Sequence, residues 1–263
     1  MKYPLIAFLL VLLATGCKED DVIPAPLKLD YYEEMYDVQG LDFKPQNRVE
    51  YSYDASGRLD RYTFFGFNPD TDKMEEQRHF RFSHEAGRVQ KMEGYNMTST
   101  NAYIIYTYAY LPDGNVSKIA EQNLGTQVNG EANFTYLTDS KTVKVTYTYS
   151  NGGSFEYEYI YDGGNILSDK TTRGSDLCSD GSYTYDQSIN PFASLGYVDF
   201  ALLNVSTNNK LSQDVNYVSC GFPSYVPDSY TYEYNDRGYP ILATTIYKPA
   251  EPVRKSVRRF YYK

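Results

Sequence analysis

Tryptophan is missing from the 263 residues, histidine occurs twice and cysteine three times. Without tryptophan the chain lacks the widest stacking ring, which counts against a sugar-stacking platform. The two histidines, His79 and His84, lie five apart in one hairpin. On one extended strand they point to opposite faces, so a paired histidine metal site is not expected. No Gly-x-Ser-x-Gly elbow singles out a serine for a hydrolytic triad, and the glycines follow turn grammar, not that of a phosphate-binding loop. Positive charge is scarce too: 25 Lys and Arg stand against 34 Asp and Glu, a formal net charge of -9. Nucleic-acid binding depends on neutralising phosphates with Lys and Arg, so this balance argues against it and against an anionic lipid-binding face.

The apolar run near the start, Pro4 to Ala14, is shorter than the roughly 20 residues a membrane-spanning helix needs. Met1 and Lys2 precede it; Thr15, Gly16 and Cys17 follow. One positive charge, a short apolar core and a small-residue end are the parts of a secretory signal over residues 1–16. The stretch Leu13-Ala14-Thr15-Gly16-Cys17 resembles a lipobox, with Ala14 where Leu is more usual. The resemblance implies a diacylglyceryl anchor on the Cys17 thiol; an ordinary cleaved signal, or a short buried helix ending in cysteine, is the plainer alternative. A single acyl chain anchors only marginally, whereas the two or three of a lipoprotein hold it on its membrane. Lys18-Glu19-Asp20-Asp21 is similar to the lysine-plus-acidic export signal of Bacteroidota-type lipoproteins, which implies display on the outer face of the outer membrane; a solvated acidic tether reads the same way. Pro24 and Pro26 suit residues 17–30 to an extended spacer.

Removing residues 1–16 leaves 247, which suits one large all-β domain over 31–263, or two small ones. Only Lys2 is lost from the charged set, so 24 basic residues face 34 acidic ones. Cys178 and Cys220 remain as a pair in a chain bound for an oxidising compartment, which reads as a disulfide across 42 residues; two separate buried thiols are the alternative.

What the chain has in abundance is tyrosine, 30 in all. They recur at alternate positions: Tyr51 and Tyr53; Tyr106, Tyr108 and Tyr110; Tyr147 and Tyr149; Tyr157, Tyr159 and Tyr161; Tyr183 and Tyr185; Tyr230, Tyr232 and Tyr234. Side chains alternate across a strand, so each set shares one face, with Thr, Ser, Glu and Arg on the other. That is the pattern of a half-buried antiparallel strand. Turn chemistry follows, as in Asp54-Ala55-Ser56-Gly57 and Pro112-Asp113-Gly114-Asn115, where an Asp can bond the backbone ahead and a Gly can take positive φ. Gly57, Gly87 and Gly114 are spaced by 30 and 27 residues, the length of a β-hairpin unit. The expected fold is an all-β antiparallel meander of repeated hairpins, forming a large curled sheet or a barrel-like structure. Residues 186–228, with Pro191, Gly196, Pro223 and Pro227, read as a long irregular insertion.

The pattern Tyr-x-Tyr-Asp-x-x-Gly-Arg-Leu at 51–59 resembles the tyrosine-aspartate repeats of RHS-type proteins, and the later copies are degenerate. The chain from about 45 to 263 more closely resembles a family of Bacteroidota lipoproteins of unknown function. That family carries such copies together with a Tyr-x-Tyr-Asp-x-x-x-Asn-Pro-Phe element, here Tyr183 to Phe192, and a late Tyr-x-Tyr-x-x-x-Gly-Tyr-Pro element, here Tyr232 to Pro240. The resemblance implies a β-sheet lipoprotein and carries no known catalytic residues.

Two function classes remain. The first is a surface binding or structural module whose partner is a glycan or another surface protein, with membrane contact only through Cys17 and no cofactor. Exposed tyrosine ladders would serve it, although packed ladders are simply a core. The second is a surface glycan hydrolase with carboxylates assembled by the fold. Glu156 and Glu158 share a strand face, but alternating Glu on any solvated strand does the same. Calcium ligation by Asp176 and Asp180 lacks a matching oxygen-ligand loop motif.

Overall fold

Each run of alternating residues becomes a strand in the computed structural model, which describes residues 26–36, 45–138, 141–198, 206–218, 220, 226–248 and 254–263. The strands are β1 (Leu29–Tyr36), β2 (Asn47–Tyr53), β3 (Leu59–Asn68), β4 (Lys73–Glu85), β5 (Arg88–Asn96), β6 (Ile104–Tyr110), β7 (Val116–Asn123) and β8 (Gly130–Tyr136). They continue as β9 (Thr142–Tyr149), β10 (Ser154–Asp162), β11 (Asn165–Arg173), β12 (Asp176–Ile189), β13 (Asn208–Tyr217), β14 (Val226–Tyr234), β15 (Pro240–Lys248) and β16 (Arg254–Tyr262). Every strand pairs antiparallel with its neighbours in sequence, and β1 pairs with β16 from Leu29↔Tyr262 to Tyr36↔Ser256, closing the barrel. Closure leaves no open sheet edge to template aggregation. Cys17, the signal segment and the acidic tether through residue 25 lie outside the described residues. Leu29 and Asp30, read as spacer, belong to β1.

The tyrosine sets face inward. Tyr51, Tyr108, Tyr147 and Tyr159 are buried with Val49, Phe82, Ile119, Val145 and Phe260 in one core cluster, and Tyr62, Tyr157, Tyr183 and Tyr232 pack against it. The turns after β2, β6 and β14 gather at one end, called here the lower end, where the residues just before β1 and just after β16 also meet through Lys28 N to Lys263 O at 3.1 Å. Asp54 shows why these turns form. Its Oδ1 accepts from Ser56 N and Arg58 N, both at 2.9 Å, while Gly57 takes φ +78°. Asn235 does the same work for Arg237 N and Tyr239 N, with Gly238 at φ +76°.

At this lower end the ladders slip by one residue in a repeated way. Asp30, Asp60, Gln90, Ser117, Leu167, Leu211 and Ile241 each stand unmatched, one extra residue near the start of an odd-numbered strand. This accounts for three exposed apolar side chains, Leu167, Leu211 and Ile241, which are turned out of the wall. A bulge disrupts the ladder locally and takes a carbonyl out of it. A tyrosine of the next strand takes that carbonyl up: Tyr53 Oη donates to Leu29 O at 2.7 Å, Tyr110 to Val89 O at 2.6 Å and Tyr136 to Val116 O at 3.0 Å. Tyr232 does so to Lys210 O at 2.9 Å and Tyr262 to Pro240 O at 2.6 Å. In all five the acceptor immediately precedes the extra residue. The repeated tyrosine thus supplies both the core ring and the missing bond. Tyr110→Phe keeps the ring and strands the Val89 carbonyl, so urea denaturation should show a loss of about 1 to 3 kcal/mol.

The expectation of an irregular insertion over 186–228 is corrected in its detail. Residues 186–189 extend β12, β13 occupies Asn208–Tyr217, and β14 begins at Val226. The irregular part described is Asn190 to Val198, with one 3₁₀ turn at Ala193–Leu195, and it folds into the barrel instead of away from it. Asn190 holds the entry: its Nδ2 donates to Ser206 O at 2.8 Å and its Oδ1 accepts from Phe192 N at 3.0 Å. Phe192 then meets Tyr32 edge-on at 5.8 Å, and Tyr197 packs on Phe82 at 5.0 Å. Cys178 and Cys220 form the expected disulfide, with Cα atoms 5.4 Å apart, at the upper end where β12 begins.

Candidate functional site

The inward segment 190–198 divides the lumen. On one side, a space of about 600 Å³ lies toward the lower end between Arg88, Tyr110, Tyr136, Tyr161 and Val198. On the other, a cavity of about 480 Å³ is bounded by Phe192 and Tyr197 of that segment, by Tyr32, Tyr51, Tyr62 and Phe64, and by residues of β13 to β16 that reach Tyr247 near the upper end of β15. That volume falls within the range of about 300 to 1,000 Å³ typical of small-molecule sites.

Two cations line this second cavity, Lys210 and Arg258. Arg258 occupies an inward position in β16, in register with Phe260 and Tyr262. Its Nη2 donates to Glu34 Oε1 at 2.9 Å, its guanidinium lies 4.8 Å from the Tyr32 ring, and its Nε has no partner. Burial opposes the charge, but Tyr32, the Glu34 carboxylate and Tyr51 outweigh it, so the group stays a cation. Lys210 Nζ lies 4.1 Å from the centre of the Tyr183 ring and 3.3 Å from Gln213 Oε1. Burial pulls its ammonium down to about 8, only partly offset by the charge of Asp169. The neighbouring carboxylates are committed elsewhere. Asp169 accepts from Tyr183 Oη at 2.6 Å, and Asp186 accepts from Asn209 N at 3.0 Å and from Tyr234 Oη.

The residues expected from sequence fall in various places. Glu156 and Glu158 face outward, because Tyr157 and Tyr159 face in, and Glu158 pairs with Lys144 at 2.8 Å. They do not border the cavity, so the hydrolase reading loses its named pair. His79 is buried on the outer side, bonded through Nδ1 to Glu76 at 2.7 Å and stacked on Tyr95, whereas His84 stands in the inward register of Phe80 and Phe82. Asp176 and Asp180 are exposed on β12, and no cluster of three or more metal-ligating side chains occurs among the described residues. The Asn190-Pro191-Phe192 element, by contrast, forms part of the cavity wall. Lys210, Arg258 and Glu34 were not singled out from sequence.

Among solved structures, the chain superposes on a porin-like protein from Bacteroides uniformis with a TM-score of 0.59 at 14% identity, over 90% of this chain and 98% of that one. In fold, the two barrels are similar. A porin-like protein from Bacteroides vulgatus matches with a TM-score of 0.46 at 13% identity, over 90% and 99% of the two chains. No protein-family model matches, and no curated protein does.

The likeness is one of fold, and the outer wall is not that of a membrane-spanning barrel. A lipid-facing wall presents an apolar band about 25 Å tall, where each Lys or Arg at the midplane costs about 2 to 4 kcal/mol. Here Arg48–Glu33, Arg61–Glu76, Lys91–Glu93, Lys118–Glu131 and Lys144–Glu158 pair across or along the strands on the outward face. The aromatic side chains concentrate in the lumen instead. Relative to a membrane barrel, polarity is inverted.

Proposed function

We propose that this chain is a surface-displayed, lipid-anchored binding module whose barrel lumen receives a small ligand between tyrosine rings. The observation that carries the reading is the lumenal cavity bounded by Tyr32, Tyr51, Tyr62 and Tyr247 and lined by the two cations Lys210 and Arg258. A lipid at Cys17 fits a barrel whose charged wall cannot sit in a bilayer, and the porin-like fold likeness accords with an outer-membrane or surface address. Both ends of the barrel strands, Lys28 and Lys263, meet at the lower end. Extended at about 3.3 to 3.6 Å per residue, residues 18–28 would hold that end within roughly 40 Å of the membrane. The upper end, toward which the cavity extends, would then face outward.

A glycan and surface-protein array probed with the exported full chain tests this. Lacking tryptophan, the protein also reports lumen occupancy through its own tyrosine fluorescence. The expected result is array signal with saturable fluorescence change, both lost in Tyr247→Ala. Silence on the array together with unchanged fluorescence overturns the reading.

A further inference from the structure

The cavity carries a sign of charge opposite to that of the molecule. The chain has a formal net charge of -9, yet the cavity lining includes Lys210 and Arg258 and no Asp or Glu. Five of the neutral polar groups there are already engaged. The phenol of Tyr232 donates to Lys210 O, that of Tyr230 to Gln213 Oε1 at 3.4 Å, and that of Tyr247 shares a bond with Ser256 Oγ at 3.1 Å. Asn190 is used at both ends of its amide, and Asn209 Nδ2 is held by Asp186 at 3.2 Å. The charged side chains of the lining are both cationic. About a third of the Arg258 side chain, 33%, remains accessible although the residue is enclosed by the barrel, so that access is from the lumen, while its Nε is closed off without a partner. Lys210 has no carboxylate within ion-pairing distance among the described residues.

Resting on the lumenal binding just described, we infer that the cavity selects a sugar ring bearing one carboxylate. Lys210 and the lumen-accessible part of Arg258 take the carboxylate, and the rings of Tyr32, Tyr51 and Tyr62 border the sugar. A single charge fits better than a phosphate dianion, because Glu34 already neutralises one of the two cations through Arg258 Nη2. The groups facing Lys210 are Asp169 from β11, Tyr183 and Tyr185 from β12, and Tyr230 and Tyr232 from β14; burial raises the pKa of all four phenols, so they stay neutral through pH 8. Lys210 is thus the member of this group that loses its charge near pH 8, and anion affinity should fall as pH rises through that value.

Calorimetric titration of the full chain with glucuronate, glucose, glucose 6-phosphate and benzoate tests the assignment. Glucuronate is expected to bind best, to weaken between pH 7 and pH 10, and to lose about tenfold or more in Lys210→Met, the size expected when a charged hydrogen-bond partner is removed. Lys144→Met, on the outer wall, should bind like the unaltered protein. Glucose binding as tightly as glucuronate, or an unchanged affinity in Lys210→Met, overturns the carboxylate while leaving lumenal binding standing. Tighter binding of glucose 6-phosphate overturns the single charge, and benzoate matching glucuronate overturns the sugar. No binding in any arm, with no fluorescence change, overturns both proposals.

Discussion

Replacing Cys178 and Cys220 together with alanine is expected to lower stability by about 4 kcal/mol, the loop-closure value for a 42-residue span. For a domain of this size that corresponds to roughly 8 to 16 °C in melting temperature. The position of the bond argues for the full effect. It ties the start of β12 to the connection between β13 and β14, and Val218 N bonds Cys178 O at 3.0 Å beside it. The β13–β14 seam is the thinnest in the barrel, with a single register pair, Ser212↔Ser229, among the described residues. Tyrosine hydroxyls from β14 also cross it, to Lys210 O and Gln213 Oε1. The enclosed loop contains both the lumen segment 190–198 and β13, so the bond restricts in the unfolded chain the residues that must find the lumen. Urea denaturation of the oxidised and the double-alanine proteins measures it. An unchanged midpoint would mean that the seam holds without the disulfide.

Much of the fold was legible because the tyrosine spacing reports a physical fact, that every second residue faces the same way. Tyr157 and Tyr159 inward put Glu156 and Glu158 outward, so the candidate hydrolytic pair and the core reading exclude each other on the same strand. Closure of the barrel was not legible: it depends on β1 meeting β16, more than 200 residues away, and no local pattern records that pairing. β13 was missed because Lys210 and Gln213 stand where apolar residues would mark the inward face and Leu211, as the extra residue, is turned outward, so the alternation disappears. The site was hidden for a related reason. Arg258 in the series with Phe260 and Tyr262, and Glu34 in the series with Tyr32 and Tyr36, are charges in an otherwise aromatic inward register. That departure from period two is the signal that would have found them.

The same reasoning makes Lys210 a position where removing the charge should strengthen the fold. Burial lowers its ammonium from 10.5 to about 8. At about 1.4 kcal/mol per pH unit, the folded protein gives up about 3 kcal/mol to keep the group charged below pH 8. The unfolded chain holds its proton up to 10.5, so between about 8 and 10.5 it binds more protons than the folded one and stability recovers as pH rises. Methionine fills the space of the lysine stem without a charge to desolvate. Allowing for the lost contact with the Tyr183 ring, at about 0.5 to 1 kcal/mol, Lys210→Met should gain about 2 to 3 kcal/mol at pH 7. The gain should shrink toward zero near pH 10.5, while tyrosine ionisation in the unfolded chain weakens both proteins alike and cancels in the difference. Paired urea titrations at pH 7 and pH 10 read this directly. A variant that is more stable and yet deaf to the carboxylated sugar would identify Lys210 as a charge kept for the ligand. If the variant is less stable at pH 7, the lysine is instead a strut between Gln213 and Tyr183, and the cavity's positive charge is a by-product of packing.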